Sequence, residues 1–447
     1  MVKIKSGCRK KKGVGYSNKI YRLLPIACLI ACCLSPVAGL YAYSQLGYNN
    51  FGDPVTGFTA RSVGMGSTDI TAANDSAALA SNPAALLNTT AKKLIVSISP
   101  GYNLFEERRN VADIDNVYTN LRVEGAGAAS YLYFGNSDYF NRLIAGIHYH
   151  PVSNMAYEFT GATVAGTLSD NTSIDSAGGM NELDIGFGAE IIKEVYAGFA
   201  YGMLSGENSV KLDKAYYNNN ALILSYTDET KKKFDGSCVR YGLMFTELDY
   251  SLGMFYQPSA SVTAKTSGDR TFHSLSGVSA SLSSELEANL PEKFGVGFSY
   301  RFKDSYRTLF AVDFLQQDWN AFTSTTTAVG GVATGNVKQN IAGYSASREL
   351  KIGFQHWLND LIPVRYGFRY QQFYQTWDNR VLDFYHTGYV NKREAPTFYC
   401  ISLGTGYVVG YFDIDFGYEF GRRNYTTSSE RYDEFLQKFA LTGRYRW

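Results

Sequence analysis

The sequence has no excess of one charge, no long hydrophobic run after its N-terminus and few cysteines. Its 447 residues include 42 lysines and arginines against 41 aspartates and glutamates, which gives a net charge of +1. A chain with that balance has no bulk positive field to hold nucleic acid through its phosphates. Beyond residue 40, no uninterrupted apolar stretch reaches the roughly 18 residues of a membrane-spanning helix, which excludes a multi-helix membrane protein.

Cysteine is concentrated at the N-terminus. Four of the six cysteines, Cys8, Cys28, Cys32 and Cys33, precede residue 34. The rest of the chain contains only Cys238 and Cys400 and no pair with CxxC spacing. A disulfide scaffold and a cysteine-based zinc site are therefore excluded. The two remaining cysteines form either one disulfide or two free thiols.

Aromatic residues and glycine are abundant. The chain contains 35 Tyr, 28 Phe and 43 Gly, and 45% of its residues are hydrophobic. This content is too high for a disordered chain. It is typical of a β-rich protein.

Residues 1–42 have the features of a secretory signal peptide. Eight lysines and arginines lie between residues 3 and 22, and an almost purely apolar run follows from Leu23 to Leu40. Small residues near its end predict cleavage after Ala38 or Ala42. A second interpretation is a lipoprotein signal, because Leu29-Ile30-Ala31-Cys32 resembles a lipobox, whose cysteine becomes the acylated first residue. Both interpretations carry the chain out of the cytoplasm.

From about residue 92 onward, apolar and polar side chains alternate with a period of two, which predicts β-strands with two different faces. Residues 411–420 are the clearest example. One face carries Phe412, Ile414, Phe416, Tyr418 and Phe420, and the other carries Asp413, Asp415, Gly417 and Glu419. Several charges on one face need water or polar partners, whereas large apolar side chains on the other need hydrocarbon or a dry core.

Short turns alternate with long polar segments in this region. Tight turns are predicted at residues 136–138, 193–194, 248–249, 303–305, 358–360 and 409–410. Long polar loops are predicted at about 105–125, 151–182, 205–238, 258–284, 319–347, 375–395 and 422–434. This alternation predicts an all-β, transmembrane antiparallel β-barrel of about 14 strands over residues 92–447. Its aromatic C-terminal strand, which ends in Trp447, resembles the signal that the barrel-assembly machinery recognises.

Residues 43–91 differ from the rest of the chain. They contain short Ala- and Leu-rich segments separated by glycine and proline. Asp75 and Asn82 are predicted helix N-caps, and Pro83 is a predicted first helical residue. The segment is too polar and too short to fold alone, so it needs a host, and the nearest host is the barrel lumen.

Three motifs lie in this segment: Ala60-Arg61-Ser62-Val63-Gly64-Met65-Gly66, Asn74-Asp75-Ser76-Ala77 and Asn82-Pro83-Ala84. They resemble the N-terminal hatch of the FadL/TodX family of outer-membrane transporters. Residues 290–302 and 398–420 also look like late barrel strands of that family. The resemblance implies a fourteen-stranded barrel in the outer membrane of a diderm bacterium. It also implies that residues 43–91 form a small helical hatch, or plug, in the lumen.

Members of this family carry long-chain fatty acids or other hydrophobic molecules inward by diffusion. The resemblance therefore implies a hydrophobic ligand, outer-membrane lipid and the assembly machinery as partners. It also implies release by rearrangement of the hatch, in several members through a lateral gap near the third strand. Two alternatives remain: a FadL-like barrel that acts as a binding or shuttle component for secreted proteins, and a general porin.

Cations on the lumen face are candidates for contact with an anionic head group. Counting strands places Arg240 and Lys351 near the outer end of the lumen and Arg369 at mid-height. Phe373 and Tyr374 are candidates for an apolar ligand pocket. The alternative is that the lumenal charges only neutralise one another.

Two parts of the hatch are candidates for gating. Asn82, Pro83 and Ala84 form either a switchable plug element or an ordinary N-cap with proline in the first turn. Met65 lies between Gly64 and Gly66, and these glycines either allow close packing against the wall or only make a turn.

No catalytic constellation is present. The sequence lacks a GxSxG elbow, an HExxH motif, a Walker loop and a dinucleotide fingerprint, so we predict neither an enzyme nor a cofactor. His148 and His150 lie on the predicted lumen face of the third strand, but a metal site would need further ligands that the sequence does not reveal. Pro151 is predicted to end or bend that strand.

Overall fold

The structure is a computed structural model that describes residues 51–89, 93–109, 114–135, 141–274, 278–328, 337–339, 343–383, 388–426 and 431–447. The predicted signal peptide, its lipobox and the predicted turn at residues 136–138 lie outside the described residues.

Fourteen antiparallel strands form the wall within the described residues, and four of them consist of two consecutive pieces. In chain order they are β1 Leu94–Arg109, β2 Ile114–Phe134, β3 Arg142–Asn154 with Tyr157–Ala165, β4 Leu168–Ile192, β5 Val195–Asn218, β6 Ala221–Glu247, β7 Tyr250–Gln257 with Ala260–Phe272, β8 Ser279–Leu290 with Lys293–Arg301, β9 Leu309–Gln317 with Thr323–Ala328, β10 Ser347–Trp357, β11 Pro363–Gln372, β12 Thr397–Val409, β13 Phe412–Thr426 and β14 Arg431–Arg446.

The first and last strands close the barrel. β1 pairs with β14 from Ile95↔Arg446 to Arg109↔Tyr432, and its other edge pairs with β2. Closure satisfies edge groups that would otherwise stay unpaired in hydrocarbon, at a cost of several kcal/mol each. The predicted fold class, an antiparallel β-barrel of about fourteen strands, is confirmed.

The two predicted faces of the strands are present. On β12, Ile401 and Leu403 point outward with 63% and 61% of their surface exposed. On β13, the carboxylates of Asp413, Asp415 and Glu419 point inward and are 5%, 2% and 2% exposed. The outer surface is therefore apolar, and the inner surface carries the charges.

Most of the predicted long loops are wrong, because the chain there continues as strand. β4, β5 and β6 contain 25, 24 and 27 residues, although a tilted strand needs only about 9–11 residues to cross a bilayer. Residues 205–238 thus belong almost entirely to β5 and β6, and residues 105–125 to β1 and β2. Outside a bilayer both faces of a strand meet water, so a strand there has a polar sequence like that of a loop.

The short turns mark one end of the barrel. Ile192 pairs with Val195 and Glu247 with Tyr250, which confirms the predicted turns at residues 193–194 and 248–249. Glu194 takes a positive φ of 71° in the first of these turns. The long strand extensions therefore lie at the opposite end, which we call the loop end.

The remaining elements are short. They are the strand Asp53–Pro54, the α-helix α1 Ala60–Gly64, the 3-10 helices Ser76–Ala80, Pro83–Asn88 and Trp319–Ala321, the strand Val337–Gln339 and the hairpin Trp377–Asp383 with Gly388–Glu394. Within the described part of the chain, no helix is long and apolar enough to cross a membrane. Residues 51–89, the described part of the predicted hatch segment, pack against inward-facing residues of the wall, and the name hatch is kept for them below.

Candidate functional site

Side-chain caps start the helices of the hatch. The Asp75 carboxylate accepts from the Ala77 N–H at 3.0 Å, and the Asn82 Oδ1 accepts from the Ala84 N–H at 3.2 Å with Pro83 in the first turn. Both predicted N-caps are confirmed. Asn82 also donates through Nδ2 to the carbonyl oxygens of Ile70 at 3.0 Å and Leu243 at 3.2 Å. This cap therefore ties two parts of the hatch to β6.

Glycines allow the hatch to touch the wall. A Cβ on Gly64 would lie 2.9 Å from the Cα of Gly404. Gly66 has a φ of +64°, and its Cβ would lie 2.8 Å from the carbonyl oxygens of Ile352 and Phe368. Met65, between these two glycines, is completely buried. Gly64 and Gly66 therefore both allow close packing against the wall, and Gly66 also makes a turn.

The wall also has glycines where Pro83 and Ala84 approach it. A Cβ on Gly198 would lie 2.3 Å from the Ala84 nitrogen, and one on Gly242 would lie 2.1 Å from the Asn82 Oδ1. The backbone of the second 3-10 helix of the hatch therefore contacts β5 and β6 directly, with no side chain between them.

Charged and polar groups hold the hatch around its circumference. The Asp313 carboxylate of β9 accepts from the N–H groups of Asp69 at 2.7 Å and Ile70 at 3.0 Å. Arg444 of β14 pairs with Asp75 at 2.8 Å. Arg423 of β13 pairs with Asp53 at 3.0 Å, so the segment before α1 is anchored as well.

Two titratable groups of the hatch are shifted by burial. Burial raises the pKa of the Asp69 carboxyl, although the Ser62 hydroxyl donates to it at 2.5 Å. Burial, followed by the nearby Arg365 guanidinium, lowers the pKa of Arg61 to about 10. Arg61 therefore keeps its charge at neutral pH.

Arg240 lies at the hatch. Its guanidinium donates to the Leu79 carbonyl at 2.5 Å and pairs with Glu182 at 3.1 Å and Asp184 at 3.2 Å. The predicted position near the outer end of the lumen is wrong, because β6 continues from Arg240 back to Ala221 at the loop end.

Lys351 and Arg369 lie at the same level. They are register partners on β10 and β11, so the prediction that Arg369 lies deeper than Lys351 is wrong. Lys351 pairs with Glu349 at 2.8 Å, and Arg369 pairs with Glu419 at 2.7 Å. All three candidate cations thus have carboxylate partners, as expected if lumenal charges neutralise one another.

Phe373 and Tyr374 belong to a buried aromatic cluster. The Tyr374 ring stacks on Trp319 with centroids 4.0 Å apart, and Phe51 packs beside Trp319 at 6.1 Å. The Tyr374 hydroxyl accepts from the Phe51 N–H at 3.1 Å and donates to the Gly52 carbonyl at 3.2 Å. The candidates at 373 and 374 thus meet the start of the hatch and a tryptophan from the chain between the two pieces of β9.

A cavity of about 110 Å³ lies between residues 51–58 and the wall. Its wall residues lie closer to the loop end than the glycines that touch the hatch; Glu349, for example, precedes Gly353 on β10. The residues that give it an aromatic and charged lining include Phe51, Phe58, His150, Arg240, Lys293, Trp319, Glu349 and Tyr374.

A second, smaller cavity of about 50 Å³ lies on the other side of residues 53–56. Four cations, Arg122, Arg369, Arg423 and Lys438, contribute to its lining. Residues 54–56 of the hatch thus line both cavities, of which the second also contains the carboxylates of Asp53 and Glu419.

The hydrogen-bonded ladder between β2 and β3 is incomplete. It runs from Phe134↔Arg142 to Ala126↔Tyr149. The other edge of β3 pairs with β4 both below and above that level, and above it Ser153 and Asn154 pair with the short strand Asp53–Pro54. The β3–β4 register shifts between Pro151 and Ser153. Pro151 therefore lies at a bend, and the strand does not end there.

The two histidines and the two cysteines singled out in the sequence all lie within the barrel wall, and His150 lines the aromatic cavity. His148 and His150 point into the lumen with ring centroids 5.5 Å apart, and His148 Nδ1 lies 3.2 Å from the Ser76 hydroxyl. Among the described residues, no group of three or more His, Cys, Asp or Glu residues is arranged to hold a metal ion. Cys238 and Cys400 are both buried free thiols.

Sequence reasoning missed Trp319, Phe51 and Lys293 as lining residues. Trp319 lies in a segment predicted to be a polar loop, and Lys293 stands out in the sequence only as part of the motif Leu290-Pro291-Glu292-Lys293. The signal that could have found it is the break at Pro291, which separates the two pieces of β8 and places Lys293 at the start of the second.

No protein-family model and no curated protein sequence matches the chain. Solved structures do resemble it. The toluene transporter TodX of Pseudomonas putida gives a TM-score of 0.59 at 14% identity, over 89% of this chain and 100% of TodX. A FadL homologue of Pseudomonas aeruginosa gives 0.62 at 12% identity, over 88% and 99% of the two chains. The toluene transporter TbuX of Ralstonia pickettii gives 0.54 at 15% identity, over 87% and 99%. The chain therefore has the fold of the FadL/TodX transporters.

Proposed function

We propose that this protein is an outer-membrane channel that admits hydrophobic small molecules, and that its hatch closes the lumen. One observation carries the proposal: an aromatic cavity lies directly on the loop-end side of the hatch, where a molecule arriving from outside would meet it. The apolar outer surface of the closed barrel supports the membrane location. The names of the similar structures, toluene transporters and a FadL homologue, support the class of cargo.

The physical reason for such a cavity is the free energy of apolar transfer. Each methylene gains about 0.8 kcal/mol when it leaves water for an apolar site. A wide aqueous pore offers no such gain. The stacked rings of Trp319 and Tyr374 provide an apolar surface inside a wall that is otherwise charged. Long-chain fatty acids are the cargo predicted from the sequence resemblance, and that prediction stays a proposal.

We place the exit between β2 and β3. The ladder between these strands stops at Ala126↔Tyr149, and the ring of Phe58 packs on His150 at 4.3 Å beside this level. Both residues also line the aromatic cavity. Movement of the hatch at Phe58 would therefore join the cavity to the opening in the wall, and cargo would leave sideways into the membrane.

Uptake by whole cells tests the proposal. A diderm host without its own hydrophobic-compound channel would express the protein and receive labelled toluene or labelled oleate. We expect uptake of at least one of the two compounds, and we expect Trp319→Ala to lower it because this change removes the flat wall of the cavity. Trp357→Ala is the matched control, because Trp357 ends β10 at the short-turn end and packs on Arg307.

The hatch is tested separately by deleting residues 43–90. In planar bilayers the deletion should raise the ion conductance of the purified protein, because the lumen loses its plug. Unchanged conductance would contradict the plug, and no uptake of either compound would contradict the channel.

A further inference from the structure

The aromatic cavity combines a flat apolar wall with hydrogen-bond donors that have no partner. Trp319 is only 6% exposed, and its Nε1–H has no hydrogen-bond partner within the described residues. Lys293 is half-buried, and its ammonium group forms no hydrogen bond or ion pair with any residue that the structure describes. Both residues line the cavity. A pure hydrocarbon would leave both donors unsatisfied, whereas an anionic group would accept from them.

Each carboxylate of the cavity has another cation at ion-pair distance, and Glu349 and Glu182 attract Lys293 from beyond that distance. Glu182 pairs with Arg240 at 3.1 Å and also accepts from the Cys238 thiol at 3.0 Å. Glu349 pairs with Lys351 at 2.8 Å. The register partners of Lys293 on β7 and β9 are the uncharged amides Gln257 and Gln317. Lys293 is therefore the lining cation that has a free position for an incoming anion.

The size of the cavity limits the apolar part of the ligand. A dry cavity of about 150 Å³ holds one benzene ring, and the cavity beside Trp319 measures about 110 Å³. The cavity is thus somewhat smaller than a one-ring site, so a single ring enters the Trp319–Tyr374 stack with a small outward shift of the lining side chains, whereas a long acyl chain does not fit until the hatch moves. Aromatic pairs of this kind also favour a ring over an aliphatic chain of equal area.

We propose that this cavity binds a small aromatic carboxylate, with its ring on Trp319 and Tyr374 and its carboxylate on the Lys293 ammonium and the Trp319 Nε1–H. The inference rests on the proposed channel function and names the class of molecule that its outer site selects. A ligand with a carboxylate would distinguish this protein from a channel for neutral hydrocarbons.

Equilibrium dialysis against the purified full-length protein in lipid nanodiscs tests the inference, with empty nanodiscs correcting for partition into lipid. The probes are labelled benzoate, toluene and oleate. We expect benzoate to bind more tightly than toluene. Lys293→Met should weaken benzoate by about tenfold or more and leave toluene nearly unchanged, because a charge-assisted hydrogen bond is lost.

Two further variants sharpen the test. Trp319→Phe keeps a ring but removes the Nε1–H, so benzoate should weaken by about threefold to tenfold while toluene stays within twofold. Lys303→Met is the matched control, because Lys303 lies in a short turn and pairs with Asp249. It should change neither ligand.

The two proposals fail in different ways. Toluene binding at least as tightly as benzoate, or benzoate binding that is indifferent to Lys293→Met, would overturn the anion site and leave the hydrophobic channel standing. If none of the three probes binds or enters cells, the channel itself is overturned.

Discussion

At the scale of single residues, the hatch and the wall meet backbone to backbone at positions where both lack side chains. Gly66 takes a φ of +64°, and across from it a Cβ on Gly367 would lie 2.3 Å from the Gly66 nitrogen. Two backbones therefore meet with no room for a methyl group on either. Contacts of this kind are rigid, since a backbone carbonyl cannot swing away as a flexible side chain can.

We predict that Gly66→Ala loosens the hatch. The change adds about 1–2 kcal/mol for a left-handed backbone and about 1–3 kcal/mol for overpacking against Ile352 and Phe368. Ion conductance in planar bilayers should rise, while the barrel still migrates as a folded species on an unheated gel.

Gly166→Ala is the control for this prediction. Gly166 has nearly the same φ, +66°, but a Cβ added there would have no described atom within 4 Å. Gly166→Ala should lower the folding free energy only by the cost of the left-handed backbone, and the ion conductance should stay at the wild-type level. Equal conductance of the two variants would show that close approach to the wall is not what holds the hatch.

The lumenal cations show why a candidate ligand residue often has a structural partner. Arg240 and Arg369 are buried at 4% and 3% exposure, and each donates to at least one carboxylate. Removing one partner of such a pair costs about 3–5 kcal/mol, because the remaining charge stays buried. Contact with a ligand head group would require exchange of one carboxylate for another at these positions, whereas Lys293 needs no such exchange.

At the scale of elements, the helices of the hatch are too short to be stable alone. The longest that the structure describes there, Pro83–Asn88, contains six residues, and isolated helices under about 12–15 residues are marginal in water. Its position therefore depends on its cap and on the wall. Asn82 provides both, since one side of its amide caps the helix and the other bonds to Ile70 and Leu243.

We predict that Asn82→Ala releases this part of the hatch. Loss of the cap costs about 1 kcal/mol, and loss of two buried hydrogen bonds costs about 1 kcal/mol each. Trypsin should cleave the hatch of the reconstituted protein faster, and ion conductance should rise.

Asn359→Ala is the matched control for the cap. The Asn359 Oδ1 accepts from the N–H groups of Leu361 at 2.8 Å and Ile362 at 2.9 Å, in an exposed short turn. It should lower the melting temperature slightly and leave the conductance unchanged. If Asn82→Ala behaves the same way, its cap is ordinary and plays no part in closing the lumen.

The strands show which elements the sequence predicts and which it does not. Where one face is apolar and exposed and the other faces the lumen, as at residues 411–420, alternation is strong and the strand is predicted correctly. Where both faces meet water, as at residues 205–238 in β5 and β6, alternation is lost and the strand resembles a loop. Pairing with neighbouring strands keeps these residues extended, and that information is not local in the sequence.

At the scale of the whole molecule, the count of strands follows from the sequence but the heights of residues do not. Lys351 and Arg369 face each other because β10 and β11 pair in that register, whereas counting along the chain places them at different levels. The cavity depends on the same kind of long-range information. Phe51, Trp319 and Tyr374 are far apart in sequence and meet only because the barrel closes.

The whole-molecule claim that can be tested most directly is that hydrocarbon surrounds the outer surface. Leu403 points outward on β12 and lies six residues before Val409 at the short turn, which is about half of the 9–11 residues that a tilted strand needs to cross a bilayer. We predict that Leu403→Lys costs about 2–4 kcal/mol of folding free energy in lipid, because the ammonium group would lie near the bilayer midplane. Urea titration of the protein in lipid vesicles measures this cost.

Leu248→Lys provides the comparison, because Leu248 is 83% exposed in the turn between β6 and β7, where a charge meets water. It should change the folding free energy by no more than about 0.5 kcal/mol. A barrel that packed its outer leucines against other protein would also suffer from Leu403→Lys, so the same titration is repeated in a thinner bilayer. The free-energy cost of Leu403→Lys should fall there, because the bilayer midplane lies closer to water. A cost that does not depend on bilayer thickness would show that lipid does not surround Leu403.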